Sequence, residues 1–215
     1  MTKLQKAVLQ TLAYADIFDY PLTLEELHNF LVEEKVIVKD LLEVLKEIKN
    51  ISHDGSFYFL KNRRKIVQIR RKRFKLSQNK LKIAQKVAQW LKGIPFIKMV
   101  AVTGNLAMGN ANEDDDIDLL VVTTKNRLWL TRLLTVLMVE LVANRRHPQE
   151  VEVKDKICLN MFLDEDHLQI PLGEQDLFAA HEICQVKSLW QKDNLYQKFL
   201  EANQWSKKFL PNWKP

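Results

Sequence analysis

Apolar residues recur at helical spacing from Gln5 to Ala15, and the pattern breaks at Asp16-Ile17-Phe18-Asp19-Tyr20-Pro21, where the proline disfavours helix at Tyr20. Thr23 followed three residues later by Glu26 reads as a capping box. It opens a second helix that carries Leu24, Leu27, Phe30 and Leu31. A third helix, from about Val38 to Ile48, sets Leu41, Leu42, Val44, Leu45 and Ile48 on its inner side. Ile51 to Leu60 reads as a β-hairpin with Asp54-Gly55 at its turn.

Three helices followed by a hairpin are the order of a winged-helix module, so residues 1–60 are expected to form a winged-helix-like unit. Its third helix sets Lys39, Lys46 and Lys49 against Asp40, Glu43 and Glu47. A helix that reads DNA normally shows surplus positive charge, so packing or dimerisation is favoured over DNA binding through this helix. Residues 62–92 read as one long connector helix. Leu81, Ala84, Ala88 and Leu91 form an apolar stripe along its second half, and Gly93 and Pro95 stop it.

From Phe96 onward the pattern changes to α/β. Lys98 to Thr103 reads as a strand, Ile117 to Thr123 as a second, Arg127 to Asn144 as a helix and Lys156 to Leu163 as a third strand. Leu177–Trp190 and Leu195–Phe209 read as amphipathic helices. The expected fold class is α+β. It comprises a winged-helix-like module (1–60), a basic connector helix (61–93), and an α/β core with a mixed sheet and C-terminal helices (94–215).

Charge sharpens this picture. Residues 61–92 hold thirteen Lys or Arg and no Asp or Glu, whereas residues 1–60 hold six basic and ten acidic residues and residues 93–215 fourteen and seventeen. The whole excess of +6 therefore sits in one segment. Unopposed positive charges repel one another, so Arg63, Arg64, Arg70, Arg71, Lys72 and Arg73 call for an anionic partner or an acidic surface of the same protein. A nucleic acid is the external partner expected, and a homodimer remains open.

The two cysteines, Cys158 and Cys184, are too few for a disulfide framework, and the N-terminus lacks the apolar core of a signal peptide. A cytoplasmic protein is the expectation. Leu128 to Ala143 is the most apolar stretch, but Thr131, Arg132 and Glu140 interrupt it and it falls short of the roughly 20 residues that cross a bilayer. It reads as a buried helix, with no membrane partner.

The chemistry concentrates in residues 101–123, AVTGNLAMGNANEDDDIDLLVVT. A strand enters Gly104-Asn105, a polar loop follows, and Asp116-Ile117-Asp118 opens the next strand. Successive strand residues alternate between faces, so Asp116 and Asp118 share one. Adjacent carboxylates repel unless a cation lies between them, and hard oxygen donors suit Mg²⁺. Acids are plentiful here, but Asp118 stands between Ile117 and Leu119, where an unpaired carboxylate is costly to bury.

This stretch resembles the nucleotidyltransferase superfamily typified by DNA polymerase beta, which carries Gly-Ser or Gly-Gly, a spacer of about ten residues and Asp-x-Asp on a strand. Here Gly104-Asn105, the ten residues Leu106 to Asp115 and Asp116-Ile117-Asp118 fill those places, with Asn105 replacing the serine. The resemblance implies transfer of a nucleoside monophosphate from a nucleoside triphosphate to an acceptor, with release of pyrophosphate. It implies Asp116 and Asp118 as Mg²⁺ ligands on a platform for two ions about 3.5–4 Å apart. It also implies Gly104, Asn105 and Leu106 as phosphate-binding positions.

Arg127, with Lys125 and Arg132, could hold the triphosphate, although ordinary surface charge explains each taken singly. The superfamily's third carboxylate is either replaced by Asn160, which would then be a metal ligand, or displaced to Asp164, Glu165 and Asp166. His181 is expected to be packed rather than a ligand. The alternative function is a non-catalytic nucleic-acid-binding or regulatory protein on the same fold. Asn105 and Asn160 favour it, and the intact Asp-x-Asp favours the enzyme.

Overall fold

The structure is a computed structural model that describes all residues from Met1 to Pro215. The fold is α+β. Its elements are α1 (Lys3–Ile17), β1 (Leu22–Thr23), α2 (Leu24–Asn29), α3 (Val38–Glu47), β2 (Ile51–Asp54), β3 (Phe57–Leu60), α4 (Lys65–Leu91), β4 (Ile97–Val102), α5 (Gly104–Ala107), β5 (Ile117–Thr123), α6 (Leu128–Val142), β6 (Ile157–Asp164), α7 (Leu177–Gln185), β7 (Lys187–Gln191) and α8 (Leu195–Ala202). No helix is long and apolar enough to cross a membrane. The chain forms two compact units. One comprises Met1–Lys72, Leu172–Cys184 and Trp205–Pro215, and the other Arg73–Pro171 and Gln185–Gln204.

In the first unit, β1, β3 and β2 make a three-stranded antiparallel sheet in that order. Thr23 ends β1 and caps α2: its hydroxyl accepts from the Glu26 N–H, and the Glu26 carboxylate accepts from the Thr23 N–H at 2.8 Å. The hairpin forms where expected, but the register pairs Asp54 with Phe57, so the loop residues are Gly55 and Ser56. Gly55 takes φ +62°, a conformation that a side chain would strain. On α3 only Leu41 and Leu45 are buried, and Leu42 faces out, a narrower inner stripe than expected.

In the second unit a mixed sheet runs β6-β5-β4-β7, with β5 and β6 parallel and the other pairs antiparallel. Leu81, Ala84, Ala88 and Leu91 of α4 pack with Ile97, Val100, Leu119 and Val121 of the sheet, so the expected stripe is the helix's core face. β7 corrects the helix expected over Leu177–Trp190: α7 stops at Gln185, and Lys187–Gln191 pairs with β4 instead. Five residues at an edge satisfy their backbone by joining the sheet, which local periodicity does not reveal.

The Leu128–Ala143 stretch is also corrected. It is helical, but its buried face is Thr131, Thr135 and Val139, while Trp129 is 77% and Leu141 83% exposed. Its apolar content is high all round, so composition gave no direction to the face that turns inward.

Two α4 residues three positions apart organise the loop before β5. The Ser77 hydroxyl accepts from the Ala111 N–H at 2.9 Å. Lys80, only 3% exposed, donates to the carbonyls of Glu113 (3.0 Å) and Asp115 (2.7 Å) and to the Asp155 carboxylate (2.7 Å). One of the thirteen basic residues is thus an interior strut.

Candidate functional site

β4 ends at Val102, and the chain passes through Thr103 into the single turn α5. Gly104 stands there at φ +59°, in the left-handed region that glycine occupies without strain. A Cβ on it would lie 3.5 Å from Asp118 Oδ2, so the glycine turn and the second aspartate of the motif are immediate neighbours. The Thr103 N–H donates to the Asp118 carbonyl at 3.2 Å, which extends the pairing of Val102 with Leu119 by one residue. On the other side of β5, Asp118 pairs with Cys158 of β6. Cross-strand partners share a face. Thr103, Asp118 and Cys158 therefore form a row across three strands, and Asp116 joins it from two residues upstream.

Donor atoms of Asp116, Asp118 and Cys158 lie within 4.8 Å of one another. Burial, and then the neighbouring Asp116 carboxylate, hold the Asp118 carboxyl above the usual carboxylate range. Burial, together with the Asp118 carboxylate that accepts its S–H, pushes the Cys158 thiol up to about 12. Arg146 Nη1 donates to Asp116 Oδ2 at 2.6 Å, and this pairing raises the arginine further. One carboxylate is therefore neutralised by a guanidinium, and the other is partnered only by a thiol.

Asn105 is exposed, and its side-chain amide donates to Asp115 at 3.3 Å. Asp115 also accepts from the Asn112 backbone N–H at 2.9 Å, so this acid ties the loop together. Leu106 is buried, leaving its backbone as the part that could meet a phosphate.

Arg127 is not brought to the aspartates. It follows the far end of the seven-residue β5, about 20 Å away along the strand, and its guanidinium lies over the Phe96 ring. Asp164 pairs with Thr123 at that same far end, so Asp164, Glu165 and Asp166 do not complete the site. Asn160 is exposed and falls at the register irregularity between the Asp118 and Leu120 pairings; Cys158 is the β6 residue opposite Asp118.

Arg146 and Cys158 are the residues that sequence reasoning missed. Arg146 returns to the site because α6 reverses the chain direction after β5. The one available signal for Cys158 was that it alternates with Asn160 on the expected strand.

Much of the basic segment finds acidic partners in its own unit. Arg63 pairs with Asp16 (2.7 Å) and Asp19 (2.6 Å), and Arg64 with Asp54 (3.1 Å). Arg70 donates to Glu26 at 2.6 Å and to the Pro21 carbonyl, and lies over the Tyr20 ring. In the second unit Arg73 donates to Asn110 at 3.4 Å. Arg71 and Lys72 are exposed.

If Asp116 and Asp118 hold a divalent cation, replacing Arg146 by methionine should tighten binding of Mn²⁺ between about threefold and tenfold, because a competing cation leaves Asp116. Calorimetric titration of the variant would read this directly. An unchanged affinity would mean that the guanidinium yields Asp116 at no cost.

No family model and no curated protein matches this sequence. Solved structures with a loose likeness to this chain include two toxin–antitoxin proteins. One is a toxin–antitoxin with AMP-PNP, the other a mutant of the toxin–antitoxin MntA-HpeT. Each is 13% identical over 57% of this chain, covers 89% and 87% of its own chain respectively, and superposes with a TM-score of 0.30. That score is too low for the likeness to carry any argument about this chain.

Proposed function

We infer that this chain is a divalent-metal-dependent nucleotidyltransferase, moving a nucleoside monophosphate from a nucleoside triphosphate to an acceptor and releasing pyrophosphate. The observation that carries the reading is the position of Gly104 against Asp118 Oδ2: the glycine turn and the acidic pair make one site. The residues fit a divalent cation, since two carboxylates and a third donor converge within 4.8 Å. Mg²⁺ is the ion that the superfamily resemblance implies. Such an ion, held by Asp116 and Asp118, would supply neutralisation of the triphosphate and polarisation of the acceptor oxygen.

The chain's own residues do the rest. Gly104 lets phosphate approach the backbone without a side chain in the way, and the Asn105 and Leu106 N–H groups would receive phosphate oxygens there. Arg146, released from Asp116, offers a guanidinium to phosphate oxygens. The acceptor is proposed to be a nucleic acid. Its phosphates would meet Arg71 and Lys72, which are exposed, and Arg64, whose side chain is 80% exposed despite its partner. The first unit is proposed to be winged-helix-like, on its order of helices and strands.

Incubation with each labelled nucleoside triphosphate, a divalent cation and mixed RNA tests the reading. Label transfer is expected, and Asp118→Ala should abolish it. Transfer that survives this substitution would remove the assignment of the site.

The position of Cys158 favours a second reading, because the residue opposite Asp118 is not a carboxylate. A non-catalytic nucleic-acid-binding protein on this fold would bind RNA or DNA in a salt-sensitive manner, transfer no label and be indifferent to Asp118→Ala.

A further inference from the structure

The donor set at the start of β5 is not made of oxygen alone. Two carboxylates are joined by a thiol, and the three donors lie within 4.8 Å of one another. A second observation points to a missing polar occupant. The Thr103 hydroxyl is buried without a hydrogen-bond partner, although the residue stands opposite Asp118 in the same cross-strand row. Thr131 and Thr135 also carry unpartnered buried hydroxyls, but that of Thr103 is the one in the row with Asp118 and Cys158, where an ion or its bound water would satisfy it.

We propose that Asp116, Asp118 and Cys158 bind a thiophilic divalent cation of the zinc class in preference to Mg²⁺, and that Cys158 sets this preference. The proposal rests on the reading of the site as a metal centre and changes the ion that fills it.

Mg²⁺ requires near-octahedral oxygen coordination and gives up water reluctantly, so a sulfur donor contributes little to holding it. Zn²⁺ accepts sulfur at about 2.3 Å and carboxylate oxygen at about 2.0–2.2 Å, and needs only four donors. On a tetrahedral ion two such donors stand about 3.5 Å apart, so the observed 4.8 Å spread closes by side-chain rotations that bring the donors about 1 Å nearer one another. Three protein donors leave one position for water or a phosphate oxygen, the arrangement of a zinc site that handles substrate rather than one that only braces a fold. Binding releases the thiol proton to solvent. Arg146, now on Asp116, is the group the ion displaces.

Three measurements on the full chain decide the matter. Cd²⁺ titration should produce the ultraviolet thiolate-to-cadmium charge-transfer band, lost in Cys158→Ser and retained in Cys184→Ser. Competition with a chromophoric chelator should show Zn²⁺ binding at least roughly a hundredfold tighter than Mg²⁺, with the gap narrowing in Cys158→Asp. In the unsubstituted protein Zn²⁺, but not Mg²⁺, should protect the peptide bearing Cys158 from alkylation, read by mass spectrometry. This last experiment stands even if a variant folds poorly.

A cadmium band unchanged in Cys158→Ser, equal affinities for the two ions, or alkylation indifferent to Zn²⁺ would overturn the proposal. The functional reading fails separately. Zinc binding that needs Cys158, without label transfer under any cation, supports the metal centre and removes the enzyme. Mg²⁺-supported transfer undiminished in Cys158→Ser keeps the enzyme and removes the role of the thiol.

Discussion

Replacing Lys80 by methionine is expected to destabilise the unit that carries the site by about 3 kcal/mol, measured by urea unfolding at neutral pH. Methionine keeps the apolar stem and removes the ammonium. The lost group holds three acceptors at 2.7–3.0 Å, two of them main-chain carbonyls of the loop before β5. Removing one partner of a buried ion pair costs about 3–5 kcal/mol when the other is left without water. Asp155 is partly exposed and can be rehydrated, which places the effect at the lower end. A loss under about 1 kcal/mol would mean that water replaces the ammonium at both carbonyls. Because those carbonyls belong to Glu113 and Asp115, the same substitution should loosen the entry to Asp116 and weaken the metal binding proposed there. Ser77, bonded to Ala111, and Arg73, bonded to Asn110, would still tie α4 to the loop.

Lys80 also marks where the sequence was legible and where it was not. Signals carried within a few residues translated directly into structure. The Thr23 capping box closed as expected, Pro21 and Gly93 bounded their helices, and the glycine turn and Asp-x-Asp came together. These depend on local backbone chemistry or on one strand pairing.

The failures all involve a partner chosen at long range. Lys80 looked like one charge in a basic run, yet its acceptors lie 33 to 75 residues away. Cys158 and Asn160 were equivalent by alternation, and only the register of β6 against β5 separates them. Arg146 was hidden behind α6, and β7 behind a stretch apolar enough to pass for helix. On α6 the helix was legible but its orientation was not, since threonines face inward while several leucines face solvent.

The basic segment lies between these cases. Its need for anions was readable from composition, and Asp16, Asp19, Asp54 and Glu26 of the same unit supply several of them. The positive surface left for a nucleic acid is correspondingly smaller than thirteen residues suggest.

Acidification should expose a weakness in the first unit that a single substitution removes. His181 of α7 is 4% exposed, neither ring nitrogen has a hydrogen-bond partner, and its ring stacks on Tyr14 at 4.1 Å and on Phe30 at 5.4 Å. Burial disfavours the imidazolium and lowers the pKa from 6.5 to about 4. Above the unfolded value of about 6.5 the ring is neutral in both states, and its contribution to stability is independent of pH. As the pH falls below that value the unfolded chain takes up a proton that the folded chain refuses, so stability declines. By about pH 4 the folded ring titrates too and the loss is complete, amounting to about 3 kcal/mol.

His181→Phe keeps an aromatic ring between Tyr14 and Phe30 and abolishes the titration. The variant should therefore match or exceed the parent at pH 7, because two unsatisfied nitrogens are gone. It should also pull ahead of the parent steadily between pH 6.5 and 4, as measured by thermal unfolding across that range. Parallel stability curves for the two proteins would show that water reaches the ring and that its burial does not govern its charge.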